Sequence, residues 1–158
     1  MGQHKNNPTA LYFKNNREQV NTLYNGEVSY KAVDYEATLV PLSNIFGETA
    51  AIGIKGDLSS QVKAGECHRN AWHFAMTFPD NVEYCEGLLV GDGSMSPIYH
   101  CFNRVQGKFI DITQEIGLKH DLSSGSWNRV IVKRIFAARE IQKVFEKEGK
   151  SFITLEDE

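Results

Sequence analysis

The sequence of 158 residues has little of several things that would point to a function class directly. Cysteine is scarce. Three residues, an odd number, do not make a disulfide framework, and a reducing cytoplasm is the expected compartment. There is no run of about 18 apolar residues, so no membrane span is expected. The opening Met1-Gly2-Gln3-His4-Lys5-Asn6-Asn7-Pro8 lacks an apolar stretch, so a secretory leader is not expected either. Asn6 stands where a myristoylation signal has Ser or Thr. No block of like charge occurs. Seventeen basic residues against twenty acidic ones leave a net charge of −3, which argues against nucleic acid and against an anionic membrane as partners. No internal repeat or low-complexity tract is found.

What remains is ordinary for a globular chain: 41% hydrophobic, 23% charged and four prolines. The length fits one domain over residues 1–158, with residues 1–8 expected to be disordered and Glu156-Asp157-Glu158 a solvated, frayed end. Thr9 to Leu23 has a capping threonine and partial helical spacing, and is expected to be a helix. Asn25-Gly26 reads as a turn. Val33, Tyr35, Ala37 and Leu39 alternate as in a half-buried strand. Ala50–Ile54 is a short apolar run with a strand reading. The most regular helical signal starts at Cys67, where Asn70, Ala71, Phe74, Ala75 and Phe78 follow on one face until Pro79-Asp80-Asn81 ends it. Strands are expected at Val82–Val90, Ile98–Val105, Lys108–Thr113 and Asn128–Ile135, and a helix at Phe136–Lys147 with Gly149 beyond its end. Gln106-Gly107 suits the tight turn of a hairpin. The class is α+β.

Cysteine, histidine and paired carboxylates are the residue types here that supply strong nucleophiles or bases near neutral pH without a cofactor. Cys67 stands at a helix start, where free N–H groups and the helix dipole favour a thiolate. The competing reading is a small core residue, since free cysteine is commonly buried. His100 lies inside the apolar strand Ile98–Val105, and Asp111 inside Phe109-Ile110-Asp111-Ile112. Pairing Val105 with Lys108 across the turn sets Asn103 opposite Ile110 and makes His100 a diagonal neighbour of Asp111. An aspartate there can fix the imidazole tautomer and stabilise the imidazolium. The competing reading is a structural His–Asp pair without chemistry.

The stretches Gly65-Glu66-Cys67-His68-Arg69-Asn70-Ala71, Tyr84-Cys85-Glu86-Gly87, His100-Cys101-Phe102-Asn103 and Gly107-Lys108-Phe109-Ile110-Asp111-Ile112-Thr113 together resemble the papain-like superfamily in its small transglutaminase-like form. The chain is also similar to small phage and bacterial proteins built on that core. The resemblance covers residues 61–113, the expected catalytic core. It implies a helix that carries the cysteine at its N-terminus, packed on an antiparallel sheet that carries His and Asp. By that likeness Cys67 is the nucleophile, His100 the general base and acid, and Asp111 the orienting residue. Gln61, six positions before Cys67, resembles the glutamine that helps to hold the oxyanion. The implied activity is cysteine-dependent acyl transfer, as a peptidase or isopeptidase on a protein or peptide substrate with no cofactor. Transglutaminase, deamidase and amidase chemistry use the same triad. The sequence departs from the pattern at His68 and Cys101, where small residues are more usual.

Two further readings compete. Cys67, His68, His73, Cys85, His100 and Cys101 are zinc-type ligands, but no short Cys-x-x-Cys spacing and no H-E-x-x-H occurs, so no metal is expected. A non-catalytic domain could hold a peptide in the same cleft, although three polar groups in apolar surroundings each carry a burial cost unless partnered. Trp72 and Met76 read as packing, and Glu86 as a solvated strand charge. Gly91-Asp92-Gly93-Ser94 reads as a hairpin loop, and Asn103 and Trp127 as core or surface filler, with shielding of the His–Asp pair from water as the alternative. Lys133, Arg134, Arg139 and Lys143 alternate with Glu140, Glu146 and Glu148, as on an ordinary solvated face.

Overall fold

A computed structural model describes residues 18–93 and 96–149. The expected disorder of residues 1–8, the front of the expected helix from Thr9, Ser94 of the expected loop and the acidic tail lie outside the described residues.

The sheet has six strands: β1 (Gln19–Leu23), β2 (Val28–Thr38), β3 (Val82–Val90), β4 (Ile98–Val105), β5 (Lys108–Ile110) and β6 (Arg129–Phe136). Their order is β1-β2-β6-β3-β4-β5, with every neighbouring pair antiparallel. The helices are α1 (Ser43–Phe46), α2 (Glu48–Leu58), α3 (Cys67–Thr77) and α4 (Ala138–Glu148). The class is therefore α+β, as the sequence implies. Among the described residues, no helix is long and apolar enough to cross a membrane.

Several elements follow from the local signals. Helix α3 buries Asn70, Ala71, Phe74 and Ala75, the stripe given by the spacing, and ends just before Pro79. Strands β3 and β4 have the expected bounds. Strand β6 and helix α4 shift by a residue or two, with Gly149 in the left-handed conformation (φ 72°) closing α4. At the β4–β5 turn Gln106 and Gly107 have φ of 53° and 78°, and Val105 pairs with Lys108 and Asn103 with Ile110.

Three expectations fail. The described end of Thr9–Leu23 is strand β1, not helix. Its Val20 is 74% exposed, so it has no apolar stripe to bury, and backbone pairing with β2 decides its form. Ala50–Ile54 lies within α2, not in a strand. Ala51 and Leu58 are buried there and Ile54 packs beside them, a helical period that a five-residue window is too short to reveal. The third expected strand, Lys108–Thr113, stops at Ile110, and Thr113–Gly117 forms a π-helical turn instead.

One face of the sheet packs under α3 and α4, through Ala71, Phe74, Tyr84, Cys101, Phe136, Ile141 and Val144. The other face buries Cys85, Leu89, Phe102, Phe109, Val130 and Val132, beneath Leu122 and Trp127 of the segment between β5 and β6. Trp72 stacks on Phe145 at 4.9 Å, as packing. Gly87 permits the sheet to close. A Cβ there would stand 1.9 Å from the backbone oxygen of Ile131, beside an irregularity in the β3–β6 register.

Candidate active site

Cys67 is the first residue of α3, and Glu66 in front of it makes no side-chain cap. The first N–H groups of the helix therefore lack that usual acceptor. Two asparagines fix where the helix begins. Asn70, fully buried, accepts from the Lys63 N–H (3.1 Å) and donates to the Lys63 carbonyl (2.7 Å) and the Thr113 hydroxyl (2.9 Å). Asn103 on β4 donates to the Ala71 carbonyl (2.9 Å) and the Glu83 carbonyl (3.1 Å). Asn103 thus ties the helix to the sheet and does not shield the His–Asp pair.

β5 covers only Asn103–Val105, so among the described residues the far edge of β4 from Ile98 to Phe102 has no strand beside it. Cys67 meets β4 there. Side chains from both faces of the strand act on the charge of its sulfur, His100 on one and Cys101 on the other. His100 Nε2 lies 2.5 Å from Asp111 Oδ2, with the two residues 8% and 0% exposed. With Nε2 on the carboxylate, Nδ1 is the ring nitrogen left to face the sulfur. Phe102 stacks against the imidazole at 6.3 Å. Asp111 is held in turn by Gln114, whose side-chain amide donates to Oδ2 (2.9 Å) and to the Trp127 carbonyl (2.8 Å), while its backbone N–H reaches Oδ1 (3.3 Å).

These contacts set the charges. The Cys67 thiol is pulled down to about 4. The hydrogen bond from the Cys101 thiol is the largest cause. Burial opposes it, and the hydrogen bond and positive charge of His100 reinforce it. His100 is pushed up to about 10: burial disfavours its cation, but the charge and hydrogen bond of Asp111 outweigh this, with Cys67 adding to them. Cys101 is held well above the usual thiol range by its bond to Cys67 and by burial, and Cys85 is raised by burial. A Cys67 thiolate beside a His100 imidazolium is the resulting state near neutral pH.

Cys67 and His100 line a cavity of about 440 Å³. Its walls are largely apolar, with Leu89, Ile98, Tyr99, Leu118 and Trp127, and among the described residues no Asp, Glu, Lys or Arg lines it. Ile98, Tyr99 and Leu118 are 53%, 48% and 59% exposed, so much of the apolar surface of the described residues gathers at this opening.

The structure thus brings Cys67, His100 and Asp111 together. It does not bring Gln61, which is exposed in the turn after α2, its N–H on the Leu58 carbonyl, and is not among the residues lining the cavity. Its neighbour Val62 is the buried residue of that turn. Gln114 is the glutamine beside the triad, and the sequence reading missed it. The signal was present as Asp111-Ile112-Thr113-Gln114, an acceptor with Gln three residues on, as at a helix start; extending the strand to Thr113 concealed it.

Two charged residues also lie elsewhere than expected. Glu86 and Arg134 are not solvated but 3% and 2% exposed, directly paired across β3 and β6, with Arg134 Nη1 3.5 Å from Glu86 Oε1. Arg134 also lies over the Tyr30 ring at 5.3 Å. Glu86 pairs with Cys101 on its other side, which sets this ion pair beside Cys101.

Among the described residues, no group of three or more His, Cys, Asp or Glu side chains could hold a metal ion. No protein-family model matches the chain, and neither a curated protein nor a solved structure shows significant similarity to it.

Proposed function

We propose that this protein is a cysteine-dependent acyl-transfer enzyme of papain-like, transglutaminase-like design, acting as a peptidase or isopeptidase. The observation that carries this reading is the continuous chain Cys67–His100–Asp111–Gln114, which ends at a thiolate in the wall of an open cavity. A structural His–Asp pair would need neither the thiolate nor the opening.

The thiolate attacks the carbonyl carbon of an amide, and N–H groups at the start of α3 receive the oxyanion. The His100 imidazolium gives its proton to the departing amine, leaving an acyl-thioester on Cys67. Neutral His100 then takes a proton from water, which releases the acid; an amine in place of water gives transfer. Asp111 holds the ring through Nε2 in both steps. The largely apolar walls favour an apolar group on the acyl side of the scissile bond.

The test is turnover of fluorogenic peptide amides with an apolar acyl residue. Wild-type protein releases the fluorophore, Cys67→Ala abolishes release, and His100→Ala lowers it by roughly 10²–10⁴-fold. Turnover by Cys67→Ala at the wild-type rate would overturn the assignment.

A further inference from the structure

With Gln61 turned to solvent, the N–H groups at the start of α3 lack a side-chain donor to share the oxyanion. The π-helical turn Thr113–Gly117 lies against the segment that leads into α3. A Cβ on Gly117 would stand 3.1 Å from the Ala64 backbone nitrogen and 3.3 Å from the Lys63 carbonyl carbon. At the head of that turn Thr113 is buried, yet it lines the same cavity as Cys67 and His100. Its hydroxyl oxygen is 2.9 Å from the Asn70 side-chain nitrogen. Asn70 follows Cys67 by three residues in α3, and side chains at that spacing are neighbours, about 5–6 Å apart at Cβ. The Thr113 hydroxyl therefore sits at the first turn of α3.

The direction of these bonds is fixed. The Lys63 N–H can only donate, so Asn70 Oδ1 is the acceptor and Nδ2 the donor, to the Lys63 carbonyl and to Thr113. The Thr113 oxygen accepts from Asn70, and its own proton points elsewhere. Among the described residues no acceptor receives that proton. A buried donor left open on a cavity is a group whose partner a ligand supplies.

We propose that the Thr113 hydroxyl is the side-chain oxyanion donor of the site, a catalytic residue in the place that Gln61 does not fill; the proposal rests on the acyl-transfer reading. As the Cys67 sulfur bonds to the carbonyl carbon, the π pair of the C=O bond moves onto oxygen. The Thr113 O–H and a first-turn N–H of α3 donate to that oxygen. The pair returns when the C–N bond breaks and His100 protonates the departing amine. Thr113 keeps its proton throughout. Asn70 prepares the donor: its bond to the hydroxyl oxygen holds and polarises the group, so little has to reorganise as charge develops. The same asparagine grips both backbone groups of Lys63, so one side chain sets the loop before Cys67 and the hydroxyl together. The largely apolar walls make a hydrogen bond to developing charge count for more than it would in water.

The test sets Thr113→Val, which keeps the shape and removes the hydroxyl, against Thr113→Ser, which keeps the hydroxyl. Three readouts are taken on the full chain: turnover of apolar peptide amides, inhibition by a peptide aldehyde, and the iodoacetamide rate of Cys67. The aldehyde adds to the Cys67 sulfur and places its oxygen where the oxyanion forms. Thr113→Val should lower kcat about 10²–10³-fold with KM little changed, and weaken the aldehyde, while the alkylation rate stays that of wild type. Thr113→Ser should keep most of both activities. Wild-type kcat in Thr113→Val, alkylation slowed as much as turnover, or Thr113→Ser as impaired as Thr113→Val would each overturn the donor. Should Thr113→Val not fold, the wild type still decides. Its Thr113 hydroxyl proton, followed by NMR, should become protected from exchange with water when the aldehyde binds, and an unchanged exchange rate would overturn the donor. Absence of both turnover and aldehyde adduct in the wild type would instead overturn the acyl-transfer reading, and the donor with it.

Discussion

Alkylation of Cys67 by iodoacetamide, followed against pH, reads the state of the sulfur without a substrate. An ordinary thiol, with a pKa of about 8.5, is only about 0.1% thiolate at about pH 5.5. Cys67, pulled down to about 4, is almost wholly thiolate at that pH. Ionisation alone therefore favours it about 1,000-fold over the ordinary thiol. A less basic thiolate is also a weaker nucleophile. With a Brønsted slope of about 0.4–0.5, a fall of roughly 4.5 pKa units costs about 100-fold in intrinsic rate. The net expectation at about pH 5.5 is alkylation about 10-fold faster than glutathione in the same tube. At about pH 8.5 the order reverses, because half the glutathione is ionised and its stronger thiolate wins by roughly 50-fold. The profile of Cys67 should be flat from somewhat above about 4 towards alkaline pH, where the control climbs about tenfold per unit until its own pKa. Turnover should follow the same lower limit. It should fall again as pH rises through about 10, where His100 loses the proton it gives to the leaving group. A Cys67 rate that climbs in parallel with glutathione would refute the thiolate, and with it the account of how His100 and Cys101 set its charge.

Gly87→Ala should cost at least about 3 kcal/mol in urea unfolding, or prevent folding, because the new Cβ would meet the Ile131 backbone oxygen; a variant as stable as wild type would contradict the close approach. Arg134→Met alone should cost about 3–5 kcal/mol by leaving Glu86 buried without its cation, while Glu86→Leu with Arg134→Met should regain most of it. Additive losses in a double-mutant cycle would mean that the two are not coupled. Leu118→Asp, at a position 59% exposed, should fold normally. It should lower kcat/KM for apolar peptide amides by about 10-fold or more while the iodoacetamide rate stays put; equal turnover would remove Leu118 from the substrate's path.

The parts of the site that were legible in the sequence are those set by short-range geometry. The helix stripe from Cys67, the bounds of β3 and β4 and the register across Gln106-Gly107 each depend on a period or a turn that spans a few residues. Those that were not legible depend on distant partners. Glu86 and Arg134 looked like surface charges because each is neutralised by a residue far off in the chain. Asn103 gave no sign that its amide would reach a helix carbonyl at Ala71. Gln61 matched a pattern by its spacing, but the turn after α2 aims it at solvent. β1 and α2 were misread because an edge strand needs no apolar face and a short apolar run fits either period.

The shortness of β5 has a consequence for how this chain can change. Between the Gln106-Gly107 turn and Asp111 lie only Lys108, Phe109 and Ile110, all paired or bonded along β4. Side chains alternate along a strand, so deleting any one of the three would move the carboxylate one place back, opposite Asn103 and away from the imidazole. The same slip would remove or turn over Phe109 and Ile110, which are buried on opposite faces of the sheet, so the core and the His100–Asp111 contact would be lost together. Substitutions can accumulate in this hairpin; changes in its length cannot, and its three residues act as a ruler between the turn and the chemistry.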